Sequence, residues 1–128
     1  MHNLTIGASF STHILDQVLQ RRAREWEVLR TRTLSRLRDG LSRLPVAFET
    51  VVIFGSLIHP GHFGPHSDID VAFFGLADQD YFVAKRFLEA EMDLELDVIQ
   101  LETHRLRETI VRKGISWNRN DLSFSAPT

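Results

Sequence analysis

The chain has 128 residues, 43% of them apolar, and a formal net charge of −2. This length suits one hydrophobic core and is short for two ordinary domains, so we expect a single domain over residues 1–128. The mild acidity, the lack of a long apolar run and the lack of a signal-peptide pattern argue against membrane insertion, secretion and direct nucleic-acid binding. Without cysteine, disulfides and thiolate metal sites are excluded. We therefore expect a cytoplasmic protein.

The first third of the chain is basic and has a helical pattern. Residues 12–44 hold eight arginines and four acidic residues, whereas the remainder holds seven basic and thirteen acidic residues. Apolar residues recur there at steps of three, four or seven, which predicts one long helix. Ser11 or Thr12 can cap its start, and Gly40 and Pro45 favour its end. The apolar stripe comprises Leu15, Leu19, Trp26, Leu29, Leu37, Leu41 and Leu44.

This predicted helix is longer than one small core needs. About 30 residues of helix span roughly 45 Å, so we expect part of the stripe to be buried between subunits of a homo-oligomer. The arginines on the opposite side are either solvated or in contact with an acidic partner or phosphates. Residues 1–11 are polar and small, and we expect them to be loosely held.

The centre of the chain carries the strongest chemical pattern. Residues 51–54 are β-branched and aromatic, which predicts a buried strand that stops at Gly55 and Ser56. A tight turn at glycine allows backbone N–H groups to approach an anion closely. In the next predicted strand, Asp68 and Asp70 alternate and so point to the same face. Two like charges on an apolar strand indicate a site for a hard divalent cation.

The connecting loop, residues 57–67, contains His59, His62 and His66 among prolines and glycines. Three histidines suggest zinc as one interpretation, although a loop broken by proline and glycine gives them no helical register. The alternative is that the loop lies over a bound nucleotide, with a histidine at a phosphate or in water.

A helix and a strand are predicted to follow the paired carboxylates. The helix covers residues 79–92 with Asp78 as its cap, and the strand covers residues 94–99. On that strand Glu95 and Asp97 share one face, so periodicity alone allows either to join the carboxylates. The residues available for packing on the helix are Tyr81, Phe82, Phe87 and Leu88.

The end of the chain is predicted to close the domain. Residues 102–113 favour a helix with acid early and base late, stopped by Gly114. A short strand is expected at residues 115–117, followed by a loosely held polar tail at residues 118–128.

These residues resemble the signature of the minimal nucleotidyltransferases of the DNA polymerase β superfamily. That signature is Gly-Ser, a loop of about ten residues, and Asp-x-Asp, matched here by residues 55–56 and by Ser-Asp-Ile-Asp at residues 67–70. The resemblance covers residues 46–117. It implies an α+β fold in which a small mixed β-sheet, the nucleotidyltransferase palm, is flanked by helices and preceded by the long N-terminal helix.

The resemblance also implies a catalytic site. Two Mg²⁺ ions would be held by Asp68, Asp70 and, as the third carboxylate in place of Glu95, Asp97. These aspartates would also be the catalytic residues. ATP or another nucleoside triphosphate would be bound by Gly55, Ser56 and Ser67.

Two departures from the family pattern keep a second interpretation open. Eleven residues separate Ser56 from Asp68, and Leu57, Ile58 and His59 stand where the family often has small and basic residues. Phosphate binding could then be weaker, or catalysis lost.

The small size resembles the nucleotidyltransferase antitoxins that accompany HEPN-domain toxins and attach AMP to a tyrosine of the toxin. The resemblance thus implies a HEPN-type protein partner in a toxin–antitoxin system. One alternative is a binding protein of this fold that neutralises its partner by contact alone. A further alternative is nucleotide transfer to a small molecule such as an aminoglycoside, for which so short a chain offers little pocket.

Overall fold

The computed structural model describes the backbone of residues 2–123 and the side chains of residues 12–122. Short 3₁₀ turns connect the main elements at Gly55–Ile58, Asp78–Asp80 and Leu101–Thr103. In chain order the helices and strands are α1 His2–Ser42, β1 Thr50–Phe54, β2 Ile69–Phe74, α2 Tyr81–Met92, β3 Leu96–Gln100, α3 Arg107–Lys113, β4 Ile115–Asn118 and α4 Arg119–Ser123.

The four strands form one mixed sheet in the order β3-β2-β1-β4. β1 is antiparallel to both β2 and β4, whereas β2 and β3 are parallel and are joined through α2. The predicted α+β class, with a small mixed sheet and a long N-terminal helix, is confirmed. Because β1 runs opposite to its neighbours, its last residues lie at the same end of the sheet as the first residues of β2 and β3.

The two faces of the sheet are covered unequally. The first face packs against α1, α2 and α4 and contributes most of the buried core, including Val71 and Phe73. The second face carries a smaller cluster around Val52, Ala72 and Ile110, which α3 covers. Alternation along β2 places Asp70 on this second face with Ala72. The site residues therefore lie on the thinly covered side of the sheet.

α1 begins earlier than the sequence predicts. The expected cap at Ser11 or Thr12 is wrong, because the helix already runs from His2. Residues 2–11 contain no proline, and each residue added to an existing helix gains a hydrogen bond. Gly40 lies inside the helix, which ends at Ser42 before Pro45.

Among the described side chains of α1, those of the second half pack on the rest of the domain. Leu37 and Leu41 are fully buried, whereas the side chains of Leu15 and Leu19 are 55% and 47% exposed. The first half of the predicted stripe is therefore uncovered in the single chain.

Three predictions about α2 and its surroundings need correction. Asp78 does not cap the helix; it lies in a 3₁₀ turn, and its carboxylate accepts a hydrogen bond of 2.7 Å from Gln100. Phe82 was expected to pack, yet it is 65% exposed, because its position faces away from the sheet. Strand β3 begins at Leu96, so Glu95 precedes it, and Asp68 likewise lies one residue before β2.

The end of the chain differs most from the prediction. The expected helix over residues 102–113 is broken after a 3₁₀ turn, and this break lets Leu101 and Ile110 both reach the second face of the sheet. Gly114 ends α3 as predicted.

The tail is not loose over residues 119–122. Leu122 is fully buried, and Arg119 donates to the carbonyls of Leu41 and Leu44 at 2.9 and 3.1 Å. Residues 124–128 of that predicted tail lie outside the described residues. Within the described part of the chain, no helix is long and apolar enough to cross a membrane.

Candidate functional site

The turn after β1 is pressed against an acidic side chain. Gly55 has a φ of +78°, a conformation that favours glycine. A Cβ atom at this position would collide with Oδ2 of Asp70 and would lie 3.2 Å from its Cγ. Glycine is therefore required here for its backbone conformation and for the close approach to the carboxylate.

Two of the predicted carboxylates are paired across neighbouring strands. Asp70 on β2 is in register with Asp97 on β3, and the two side chains share a hydrogen bond. Partial burial, this hydrogen bond and the charges of Asp97 and Asp68 together raise the pKa of Asp70 from 3.8 to about 6. Burial contributes most to this rise. Asp70 therefore keeps its proton up to a pH of about 6, and its hydrogen bond with Asp97 places that proton between the two carboxyl groups.

The carboxylates border two cavities at this end of the sheet. One of about 320 Å³ is lined by both Asp70 and Asp97. A smaller one of about 100 Å³ is lined by Asp68, Glu95 and Asp97. Asp97 borders both cavities, whereas Glu95 borders only the smaller one.

A larger cavity, about 650 Å³, lies at the opposite end of the sheet around Phe48, Phe74 and Arg119. We assign the candidate site to the end with the paired carboxylates, because their shared proton and raised pKa indicate chemistry that the larger cavity lacks.

The carboxylate oxygens suit a hard cation, although the described side chains show no preformed set of three ligands. Among the side chains of residues 12–122, no group of three His, Cys, Asp or Glu residues is arranged to hold a metal ion. The zinc interpretation of the loop gains no support, since His59 and His62 only touch ring to ring, at 5.9 Å. Asp70 and Asp97 still fit Mg²⁺, because oxygen ligands that share a proton can exchange it for a divalent cation. Asp68 adds its charge beside them.

Ser67 makes two hydrogen bonds within the loop, both with Gly64. Its hydroxyl accepts a hydrogen bond of 2.9 Å from the Gly64 N–H, and its own N–H donates to the Gly64 carbonyl at 3.1 Å. Ser56 lies in the turn beside Gly55, where its carbonyl accepts from the His59 N–H at 3.1 Å. Ser67 therefore shapes the loop that connects Ser56 to Asp68.

Residues of α1 hold this turn and its loop in place, and two of them, Glu27 and Arg30, were not singled out from the sequence. Arg30 donates to the Leu57 carbonyl at 3.1 Å and makes two hydrogen bonds with Glu27, at 2.9 and 2.8 Å. The Trp26 ring lies against Gly64, where an added Cβ would be 3.0 Å from it. The spacing of Glu27 and Arg30 indicates an ion pair along the helix, but no local pattern reveals a contact with a residue 27 positions later.

Comparisons of the chain with protein-family models, with curated proteins and with solved structures found no match. The site and the motif that it contains are therefore the features of the chain that bear on its function.

Proposed function

We propose that this protein is a metal-dependent nucleotidyltransferase, which moves a nucleoside monophosphate, AMP from ATP, to a hydroxyl group. The observation that carries the proposal is the contact between the Gly55 turn and the Asp70 carboxylate, with Asp97 in register beside it. Such a turn offers backbone N–H groups to phosphates, and the paired carboxylates offer oxygen ligands next to it.

In this proposal Asp68, Asp70 and Asp97 hold Mg²⁺, and Gly55 and Ser56 hold the terminal phosphates. When bound, Mg²⁺ would neutralise the charge of the carboxylates and of the triphosphate and polarise the phosphorus that is attacked. The shared proton of Asp70 and Asp97 must leave before both carboxylates can serve as ligands.

The transfer step itself is a displacement at the α-phosphorus. A bond forms between the acceptor oxygen and this phosphorus, and the bond to the oxygen that bridges to the β-phosphate breaks. Pyrophosphate leaves with that electron pair, and Asp97 takes the proton of the acceptor hydroxyl. Asp97 suits this role because it is the more exposed member of the carboxylate pair.

The acceptor that we propose is a tyrosine of a HEPN-type toxin, on the strength of the motif resemblance. A second candidate function is neutralisation of that partner by contact alone. One observation favours this second candidate: Leu57 is fully buried and Ile58 is packed on the core, so the two residues after the Gly55–Ser56 turn provide no cation for phosphate.

One experiment separates the two candidates. The protein is incubated with ATP, Mg²⁺ and the product of the adjacent gene, and the intact mass of that product is measured. The wild type should add one AMP, whereas the double variant Asp68→Asn and Asp70→Asn should lose transfer by several orders of magnitude, because the metal ligands are removed. Glu95→Gln is the matched control and should retain transfer. An unchanged partner mass, with neutralisation kept by the double variant, would leave contact as the function.

A further inference from the structure

The site residues lie in a fixed order across the sheet. Phe54, next to Gly55, is in register with Asp70, and Asp70 is in register with Asp97. Adjacent strands are about 4.8 Å apart, so the Gly55 turn and Asp97 lie on opposite sides of Asp70. β3 is an edge strand of the described sheet, so no further strand lies beyond Asp97.

The cavity of about 320 Å³ borders this edge strand. Its walls include the apolar side chains of Phe54 and Ile99, and Asp70 and Asp97 reach into its lining. The volume is at the lower end of the range for small-molecule sites and suits one group of side-chain size.

Two polar side chains at the outer side of this cavity, those of Tyr81 and Lys85, donate hydrogen bonds to the backbone of β3. The Tyr81 hydroxyl donates to the Val98 carbonyl at 2.6 Å, and Lys85 donates to the Leu96 carbonyl at 2.7 Å. These two side chains close the free edge of β3, which would otherwise present unpaired backbone groups. They support the strand that carries Asp97.

His104, which also lines the cavity, keeps one nitrogen for a ligand. Its Nδ1 accepts a hydrogen bond of 3.1 Å from the Leu106 N–H, so the neutral ring carries its proton on Nε2. Nε2 has no acceptor among the described residues. A positioned donor thus stands in the cavity that the two carboxylates share.

We propose that this cavity receives the acceptor, an apolar group that bears a hydroxyl, and that His104 is a binding residue for it. The inference rests on the proposed nucleotidyl transfer. In such a displacement the attacking and leaving oxygens lie on opposite sides of the phosphorus. Pyrophosphate held at Gly55 and Ser56 therefore requires the acceptor to enter from the side of Asp97.

His104 binds an acceptor oxygen other than the attacking one. A hydrogen bond donated to the attacking oxygen would withdraw the electron pair that forms the new bond. The carbonyl of a peptide group beside the hydroxyl side chain is a suitable partner for the Nε2–H. Such a hydrogen bond to a peptide carbonyl distinguishes a hydroxyl side chain of a protein from the same hydroxyl on a free small molecule.

The test is an NMR titration of the protein with three probes. MgATP should shift the backbone amides of Gly55 and Ser56, whereas N-acetyltyrosinamide should shift the Ile99 methyl groups and the His104 ring. In His104→Asn, the amide oxygen can still accept from Leu106 but the distal donor is lost. We expect the Kd of N-acetyltyrosinamide to rise about 3- to 10-fold in this variant, the effect of one hydrogen bond, while the Kd of MgATP stays within about twofold.

Two controls make the result specific. Phenol lacks the peptide carbonyl, so its weaker binding should be equal in the wild type and in His104→Asn. His13→Asn, a change at an exposed position of α1, should alter none of the Kd values. An N-acetyltyrosinamide Kd unchanged in His104→Asn would show that His104 does not bind the acceptor.

The outcomes separate this inference from the proposed function. If MgATP shifts Gly55 but N-acetyltyrosinamide leaves Ile99 and His104 unchanged, the acceptor assignment is wrong and nucleotide binding stands. If MgATP shifts Ile99 and His104 instead of Gly55, the cavity holds the nucleotide and the assignment is also wrong. If MgATP shifts none of these residues, the proposed function fails, and the inference fails with it.

Discussion

At the scale of single residues, the position of one oxygen atom decides which side chain can occupy residue 55. The Asp70 carboxylate lies so close to the Gly55 backbone that even a methyl group has no room. The positive φ adds a second reason for glycine. Another glycine in the same loop, Gly61, has a φ of +86° and nothing within 4 Å of an added Cβ. A comparison of substitutions at Gly55 and Gly61 therefore separates the cost of backbone strain from the cost of the collision with Asp70.

We expect Gly55→Ala to destabilise the protein much more than Gly61→Ala. Both variants force alanine into a left-handed conformation, which costs about 1 kcal/mol or more. Only Gly55→Ala also displaces the Asp70 carboxylate, which should add about 1 to 3 kcal/mol, as overpacking does elsewhere. Urea denaturation of the three proteins measures the difference. Equal losses of unfolding free energy in the two variants would show that the turn yields without disturbing Asp70.

At the scale of elements, the strands were predictable, whereas the break before α3 and the burial of Leu122 were not. Short apolar runs bounded by glycine or polar residues gave β1, β2 and β3 to within about two residues, because burial on a sheet imposes that pattern. The break before α3 was missed, since the charges around residues 102–113 fit a continuous helix equally well. Leu122 is a single apolar residue in a polar tail, and no periodicity reveals its burial.

The candidate site residues that lie close together in the sequence could be predicted from their spacing. The residue that joins them from another strand could not, because its position depends on the register of the sheet. The spacing of Gly55, Asp68 and Asp70 can be read along the chain. Alternation alone left Asp97 and Glu95 equivalent, and the choice between them came from the family resemblance. The parallel register of β2 and β3 places Asp97 beside Asp70. The hydrogen bond from Arg30 to the Leu57 carbonyl could not be predicted from the sequence, because tertiary packing alone brings α1 to the loop.

α1 leads to a prediction about association. Its first half presents an exposed stripe, defined here as Ile14, Leu15, Val18 and Leu19, with nothing from the described chain packed on it. These four residues span about one and a half helical turns, roughly 8 Å along the helix axis. Because continuous apolar surface of this kind is typical of interfaces, we expect the wild type to self-associate through it.

The double variant Leu15→Ser and Leu19→Ser should be monomeric at concentrations where the wild type sediments as an oligomer. Its unfolding free energy as a monomer should change by less than about 0.5 kcal/mol, because both side chains are exposed. Leu37→Ala is the contrasting variant from the buried half and should lose about 2 to 5 kcal/mol. A wild type that stays monomeric in light scattering at high concentration would contradict the prediction.

At the scale of the whole molecule, the acidic site makes stability depend on pH when no divalent cation is bound. Asp70 has a pKa of about 6 in the folded protein, above its ordinary value of 3.8. The folded state therefore holds a proton that the unfolded state releases. The stabilisation of the folded state by this proton is fully present below pH 3.8 and is lost as the pH rises through 6. This pH range lies just below neutrality, and the proposed nucleotidyl transfer would need both carboxylates ionised for Mg²⁺.

We expect the unfolding free energy of the wild type in EDTA to fall, relative to that of Asp70→Asn, by about 1 kcal/mol between pH 4 and pH 7.5. The full shift would correspond to about 3 kcal/mol, which we reduce because Asp70 is partly open to solvent. At pH 7.5, Mg²⁺ at ten times its Kd should restore about 1.4 kcal/mol to the wild type and nothing to Asp70→Asn. Asp16→Asn, an exposed carboxylate on α1, is the control and should follow the wild type. A difference that does not vary with pH would remove Asp70 as the ionising group. Equal responses of both proteins to Mg²⁺ would count against Asp70 as a metal ligand.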